Sequence, residues 1–208
     1  HKEGKKILTI TLIINFLIFF ISDSLGLLLL VINIWIFYFF RDPDRFSIGD
    51  NSFLVSPADG KISMITECEG PKEIGMNNKI FTRVSVFMNV FNCHVNRVPN
   101  ACSIEEIFYK PGKFINASLD KASEHNERNI LKVKSDNGDE FAIVQIAGLV
   151  ARRIVCETDV GKKLTQGERF GIIRFGSRVD LYFDKTYELF AKIGQTVVAG
   201  GSMLAKKK

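Results

Sequence analysis

The sequence predicts a mainly β domain, a barrel or sandwich, behind an N-terminal apolar helical hairpin. Three observations carry this. Two apolar runs, Ile7 to Ile21 and Leu25 to Phe40, open the chain and are split by Ser22-Asp23-Ser24. From about residue 46 the apolar residues alternate in short runs divided by turn residues, the period-2 signature of strands. Helical periodicity is weak there, apart from the stretch "NASLDKASEHNERN" at 116 to 129. At 208 residues the chain suits one folded domain plus an appendage. The expected division is 1–45, a membrane-associating helical segment, and 46–208, the folded domain.

Each apolar run is shorter than the roughly 20 residues a comfortable membrane span needs. Together they fit a tight hairpin, a shallow re-entrant element, or one long tilted helix that tolerates Asp23. Lys2, Lys5 and Lys6 precede the runs and Arg41 and Arg45 follow them. Positive charge on both sides favours a hairpin with both ends cytoplasmic. A cleaved signal peptide would show a small-residue cleavage site and no second apolar run at once. Pro43 disfavours helix for Asp42 and ends the segment. The net charge of +5 by itself separates nucleic acid poorly from an anionic membrane surface; the position of the apolar runs decides for the membrane, and no nucleic acid is expected.

Beyond the hairpin, Phe53-Leu54-Val55 reads as a strand leading into the turn "SPADGKI" and a second strand. "TRVSVFMNVF" and "EFAIVQIAGLVARRIV" each read as a buried strand. The four cysteines, Cys68, Cys93, Cys102 and Cys156, form no CxxC pair, and in a chain facing the cytoplasm they read as reduced, small apolar residues. With only His1, His94 and His125 as imidazoles, no zinc site is expected.

One internal repeat stands near the end. "VGKKLTQGE" (160 to 168) and "IGQTVVAGG" (193 to 201) share the form apolar-Gly-x-x-apolar-x-x-Gly. The pattern fits strand corners whose glycines accept positive φ. It resembles the corners of biotinyl and lipoyl carrier domains, but the exposed carrier lysine on a hairpin tip is missing. The repeat therefore reads as architecture.

"IIRFGSRVDLYF" (172 to 183) alternates like a strand, yet Gly176-Ser177 interrupts it, and glycine weakens a strand interior. One reading is a β-bulge, and Gly201-Ser202 in the second corner fits that reading too. The other is self-cleavage. A serine hydroxyl can attack the carbonyl before it and turn the amide into an ester, and glycine leaves that carbonyl unhindered. β-Elimination then opens the ester, and residue 177 ends as an N-terminal pyruvoyl group, an electrophilic carbonyl and electron sink.

The motifs "SPADGKI", "FMNVFNCHVNRVPN", "IFYKPGKFINASLDKASEHNERN", "GLVARRIV" and "GERFGIIRFGSRVDLYF" occur in that order. In them the chain resembles the pyruvoyl-dependent phosphatidylserine decarboxylases, in particular their short bacterial and archaeal form, from about Arg41 to Leu204. The resemblance implies a membrane-associated proenzyme on the cytoplasmic face of the cell membrane. It implies cleavage between Gly176 and Ser177 into a β chain, 1–176, and an α chain, 177–208, that begins with the pyruvoyl group. The implied reaction decarboxylates phosphatidylserine, or a closely related serine phospholipid, to the ethanolamine lipid without metal, nucleotide or pyridoxal phosphate. A homo-oligomer is left open.

The resemblance also implies roles. Ser177 is nucleophile and then cofactor skeleton. Asp59, in "PADG", takes part in self-processing, although an Asx-turn before Gly60 explains the same residue. His94 handles protons. Longer members carry a second histidine three residues on, and here that position is Arg97, a candidate for the substrate's phosphate or carboxylate. Asn126-Glu127-Arg128 belongs to the family pattern, and Lys110-Pro111-Gly112 matches a family turn. Two alternatives stay open: a membrane-anchored hydrolase using Ser177, His94 and Asp59, and a non-enzymatic biotinyl-like carrier or adaptor.

Overall fold

The computed structural model describes residues 1–113, 115, 125–148, 153–174 and 177–208. The chain divides into two units, His1–Asp44 and Arg45–Lys208.

The first unit is a helical hairpin, α1 (Lys2–Phe19) and α2 (Asp23–Phe39). Ser22 starts α2 by accepting from Leu25 N–H at 3.5 Å. The helices run antiparallel, because small residues meet large ones at both ends. A Cβ on Gly4 would come within 2.4 Å of the Phe40 side chain, and one on Gly26 within 2.5 Å of Phe19. Besides Ile36 and Phe39, the buried positions of the two helices are Gly4, Asn15, Gly26 and Asn33. With the Asn15 amide oxygen turned toward α2, it accepts from Asn33 Nδ2 at 2.9 Å. Phe16, Phe20, Ile21, Val31, Ile34 and Phe37 point outward and are exposed. No helix among the described residues is long and apolar enough to cross a membrane.

The second unit is built of strands: β1 (Phe53–Val55), β2 (Gly60–Glu69), β3 (Ile80–Met88), β4 (Val95–Arg97), β5 (Cys102–Lys110), β6 (Arg128–Ser135), β7 (Glu140–Ala147), β8 (Arg153–Cys156), β9 (Lys163–Leu164), β10 (Arg169–Arg174), β11 (Ser177–Phe183), β12 (Tyr187–Leu189), β13 (Thr196–Val197) and β14 (Met203–Lys207). A 3₁₀ turn, Lys72–Ile74, precedes β3. Eight strands form one antiparallel sheet in the order β13-β2-β3-β11-β7-β6-β5-β9, curled into a half-barrel. Two three-stranded sheets accompany it, β4-β10-β8 and β1-β14-β12. The main core lies on the inner face, where Val84, Val86 and Met88 of β3 meet Val179, Leu181 and Phe183 of β11. Alternation puts Tyr182, with Ala142, Val144 and Ile146, into a second apolar cluster. All four cysteines are free thiols, and burial pushes the Cys102 thiol up to about 12, helped by Asp136 and Glu168.

The mainly β fold with a helical hairpin is as expected, but two stretches read as single strands are each two. "EFAIVQIAGLVARRIV" supplies β7 and β8, which lie in different sheets. "IIRFGSRVDLYF" supplies the end of β10 and all of β11, again in different sheets. An apolar run carries no mark of which sheet it joins, so periodicity alone reads it as continuous. Most of the stretch expected to be helical, 116–124, lies outside the described residues, as does Gly176, the first half of the expected cleavage pair.

The glycine repeat is architecture, and it falls on the two edges of the large sheet. Leu164 of β9 and Val197 of β13 are its buried apolar positions. Gly161 and Gly194 have φ of 85° and 88°, and Gly167 and Gly200 have φ of 79° and 73°. The corners touch through the last two: a Cβ on Gly200 would sit 3.4 Å from Gly167 Cα. Any larger residue would hold the rims apart.

Candidate active site

Ser177 opens β11, the strand held between β3 and β7. Its Cα partners are Met88 on one side and Ala147 on the other. The residue has no solvent exposure. Among the described residues its Oγ has no hydrogen-bond partner. A buried hydroxyl normally finds one, so an idle serine oxygen marks chemistry or strain. Directly after it, Arg178 and Asp180 form a two-point ion pair with no exposure, Nε to Oδ1 at 2.9 Å and Nη2 to Oδ2 at 3.1 Å.

His94 lies just before β4 and is fully buried. The preceding turn is fixed by asparagine side chains: Asn89 N–H donates to Asn92 Oδ1 at 2.8 Å, and Phe91 N–H to Asn89 Oδ1 at 2.8 Å. Asn92 carbonyl then sits 3.0 Å from His94 Nδ1. A carbonyl can only accept, so Nδ1 carries the proton and Nε2 presents its lone pair in the neutral ring.

Asp59 lies in the "SPADG" turn and is almost fully buried. Oδ1 accepts from Ala199 N–H at 2.8 Å and Oδ2 from Arg45 at 3.0 Å. Its carboxylate thus holds the turn against the second glycine corner. Gly60 after it is obligatory: a Cβ there would come within 2.1 Å of Phe87 O, on the strand that carries Met88. Arg97 is buried and donates to Gly167 O at 2.8 Å. Its Cδ would stand 3.1 Å from a Cβ on Gly200. The guanidinium stem therefore packs at the meeting point of the two corners.

Backbone hydrogen bonds tie these parts in series. Arg97 N–H donates to Pro57 O at 2.9 Å, joining the Asp59 turn to the histidine segment. Ile173 N–H donates to His94 O at 3.3 Å, joining that segment to β10. Phe175 and Gly176 follow β10, and then Ser177 begins β11 in the other sheet. So the structure collects Asp59, His94 and Ser177 on adjoining elements at the place where the chain changes sheets. Among the described residues the Asp59 carboxylate bonds to Arg45 and Ala199, and not to either of the others.

The motif residues Asn126 and Glu127 serve the framework around Ser177. Asn126 Nδ2 donates to the carbonyl of Ala147, the partner of Ser177, at 2.7 Å. Glu127 Oε1 accepts from Ile154 N–H at 3.2 Å. Sequence reasoning missed three amides that line the same interior: Asn96, Gln145 and Asn129. Asn129 Nδ2 donates to Gln145 Oε1 at 2.9 Å and Gln145 Nε2 to Asn96 Oδ1 at 2.8 Å. One signal pointed to them, since Gln145 is the single polar side chain inside the apolar run "FAIVQIA".

A family model described as phosphatidylserine decarboxylase matches residues 32–205. The chain is 56% identical over 207 residues to a phosphatidylserine decarboxylase proenzyme of Pelagibacter ubique, covering all of this chain and 96% of that protein. It is 51% identical over 205 residues to the proenzyme of Ruegeria pomeroyi, covering 99% and 94%. It is 49% identical over 205 residues to that of Cereibacter sphaeroides, covering 99% and 88%. With a burial-locked serine at a sheet crossing, a histidine segment bonded to the strand before it, and likeness to proenzymes along its whole length, the chain belongs to the phosphatidylserine decarboxylase family.

Proposed function

We propose that the chain cleaves itself between Gly176 and Ser177 and then decarboxylates phosphatidylserine or a closely related serine phospholipid. The observation that carries the reading is the Ser177 oxygen, wholly buried at the head of β11 and idle among the described residues. In the first step Ser177 Oγ bonds to the carbonyl carbon of residue 176. The peptide C–N bond breaks, and the hydroxyl proton ends on the freed nitrogen. In the second, the Cα proton of residue 177 leaves and its Cβ–Oγ bond breaks, releasing residue 176 as a carboxylate. Water then replaces the nitrogen, which departs as ammonia, and residue 177 becomes the pyruvoyl terminus. The serine fits this origin because nothing described competes for its oxygen.

The pyruvoyl carbonyl supplies an electrophile for the amine of the serine headgroup and a sink for the electron pair left when carbon dioxide departs. The chain's own residues supply position and protons. His94, with Nδ1–H turned to Asn92 O, offers Nε2 as proton acceptor to Ser177 and later as donor to the substrate carbon. Asp59 acts through the turn and corner it clamps. The hairpin dips into the cytoplasmic leaflet. From Ile7 to Phe19 α1 rises about 20 Å, less than the roughly 30 Å hydrocarbon core. Its outward apolar faces suit lipid, its asparagines pair inside, and Lys2, Lys5, Lys6 and Arg41 collect at its base toward anionic headgroups.

The test compares the intact mass of purified wild type with Ser177→Ala, beside decarboxylation of phosphatidylserine vesicles. Two fragments and activity in the wild type, with one inactive full-length chain in the variant, support the reading. One full-length species in both, or turnover by uncut chain, defeats it.

A further inference from the structure

The buried amides lead to Ser177. Asn129, Gln145, Asn96 and Met88 are all between 0% and 2% exposed. The chain of hydrogen bonds from Asn129 through Gln145 ends at Asn96, whose Nδ2, among the described residues, donates only to the Met88 thioether, at 3.7 Å. Register fixes where this leads. Met88 is opposite Ser177 on one side, and Ala147 is opposite it on the other, two residues beyond Gln145. Opposed residues share a face, and diagonal ones lie about 7–8 Å apart. Gln145, Met88 and Ser177 therefore project together onto the inner face. Asn96, packed over that face from β4, touches the first two of them.

Asn96 is also oriented. Its Oδ1 takes the Gln145 hydrogen bond, so its NH₂ must point the other way, toward Met88. Gly171, the Cα partner of Asn96, leaves room for this: a Cβ there would come within 3.3 Å of Gln145 Nε2 and 2.3 Å of Val155 O. A thioether is a weak acceptor. A buried amide donor left on it lacks the good acceptor that such groups normally find. The interior thus holds an underused donor and an idle serine oxygen around a single methionine. Such a donor, aimed before any charge develops, is how a fold stabilises an oxyanion without reorganising.

We infer that Asn96 Nδ2 donates to the oxygen that becomes negative when Ser177 attacks the preceding carbonyl, with Gln145 and Asn129 as positioning residues that fix its direction. The inference rests on the self-cleavage proposed above.

Asn96→Asp tests it, because the variant keeps the shape and the oxygen that accepts from Gln145 but loses the NH₂. Freshly made proenzyme is followed by intact mass at several pH values, with thermal unfolding alongside. At pH 8 the variant is expected to split at least tenfold more slowly than wild type, since one oxyanion donor is worth roughly 10²–10³ in rate. Relative to wild type its rate rises as the pH is lowered, because protonation returns an O–H donor to the same place. A slow variant without that recovery has a structural defect and overturns the inference. Should Asn96→Asp not fold, Asn96→Ala is read for the same tenfold slowing. Wild type that splits while the folded variant keeps pace within twofold overturns the Asn96 inference alone. Wild type that never splits overturns the self-cleavage reading as well.

Discussion

Arg97 stands where longer relatives of the family are expected to carry a histidine, and its surroundings explain why it is not interchangeable with one. Its stem fills the junction of the two glycine corners and its guanidinium satisfies Gly167 O. Arg97→His shortens the side chain and leaves a buried carbonyl without that donor. The expected cost is about 1–3 kcal/mol, seen as a melting temperature several degrees lower, with no faster self-cleavage. A variant as stable as wild type would remove Arg97 from the framework. At this scale motif spacing singled out Ser177, His94 and Asp59, and the structure places them on adjoining elements; their chemical roles rest on the proposed function. Asp59's partners, Arg45 and Ala199, were not legible, because a carboxylate's partners 14 and 140 residues away are set by packing. Asn96, Gln145 and Asn129 were hidden for the same reason. A buried amide looks like any strand polar residue until register puts three of them in line.

Among the elements, the 3₁₀ turn Lys72–Ile74 is tied to β5 and β6 by charge. Glu73 pairs with Arg128 and, at 3.5 Å, with Lys110. Burial alone would push the Glu73 carboxyl up. Hydrogen bonding from its own backbone N–H and the Arg128 and Lys110 charges hold it below the ordinary carboxylate range. An acid whose folded pKa is depressed stabilises above its unfolded pKa and loses that contribution as pH falls through the folded one. Glu73→Gln is therefore expected to lower stability by about 1 kcal/mol at pH 7. Denaturant unfolding against pH should show the gap closing as the pH falls below the ordinary glutamate range and the wild-type carboxyl takes its proton. A gap constant down to pH 3 would assign the effect to packing. The hairpin was legible as an element because composition changes abruptly around it. The division of two apolar runs between sheets was not, since each strand's partners come from distant sequence.

For the whole molecule, the decisive fact is that residues 177 to 208 are woven into two of the three sheets, the eight-stranded one and β1-β14-β12. β11 lies between β3 and β7, β13 pairs with β2, and β14 pairs with β1. Tyr187 donates to Asp139 at 2.8 Å and Lys207 holds the same carboxylate at 2.7 and 2.9 Å. The two products of cleavage should therefore travel as one particle in native size-exclusion chromatography and separate only in denaturant. Reducing agent should make no difference, because the four cysteines are free. Separation under native conditions would contradict the strand order.

The position of Ser177 at the head of a central strand has one more result. Its oxygen is brought to its working place by neighbours drawn from residues 80–88 and 140–147, so an incomplete sheet has nothing to cut with. Scission is then a certificate of assembly: any molecule found in two pieces must first have been whole, and correctly threaded.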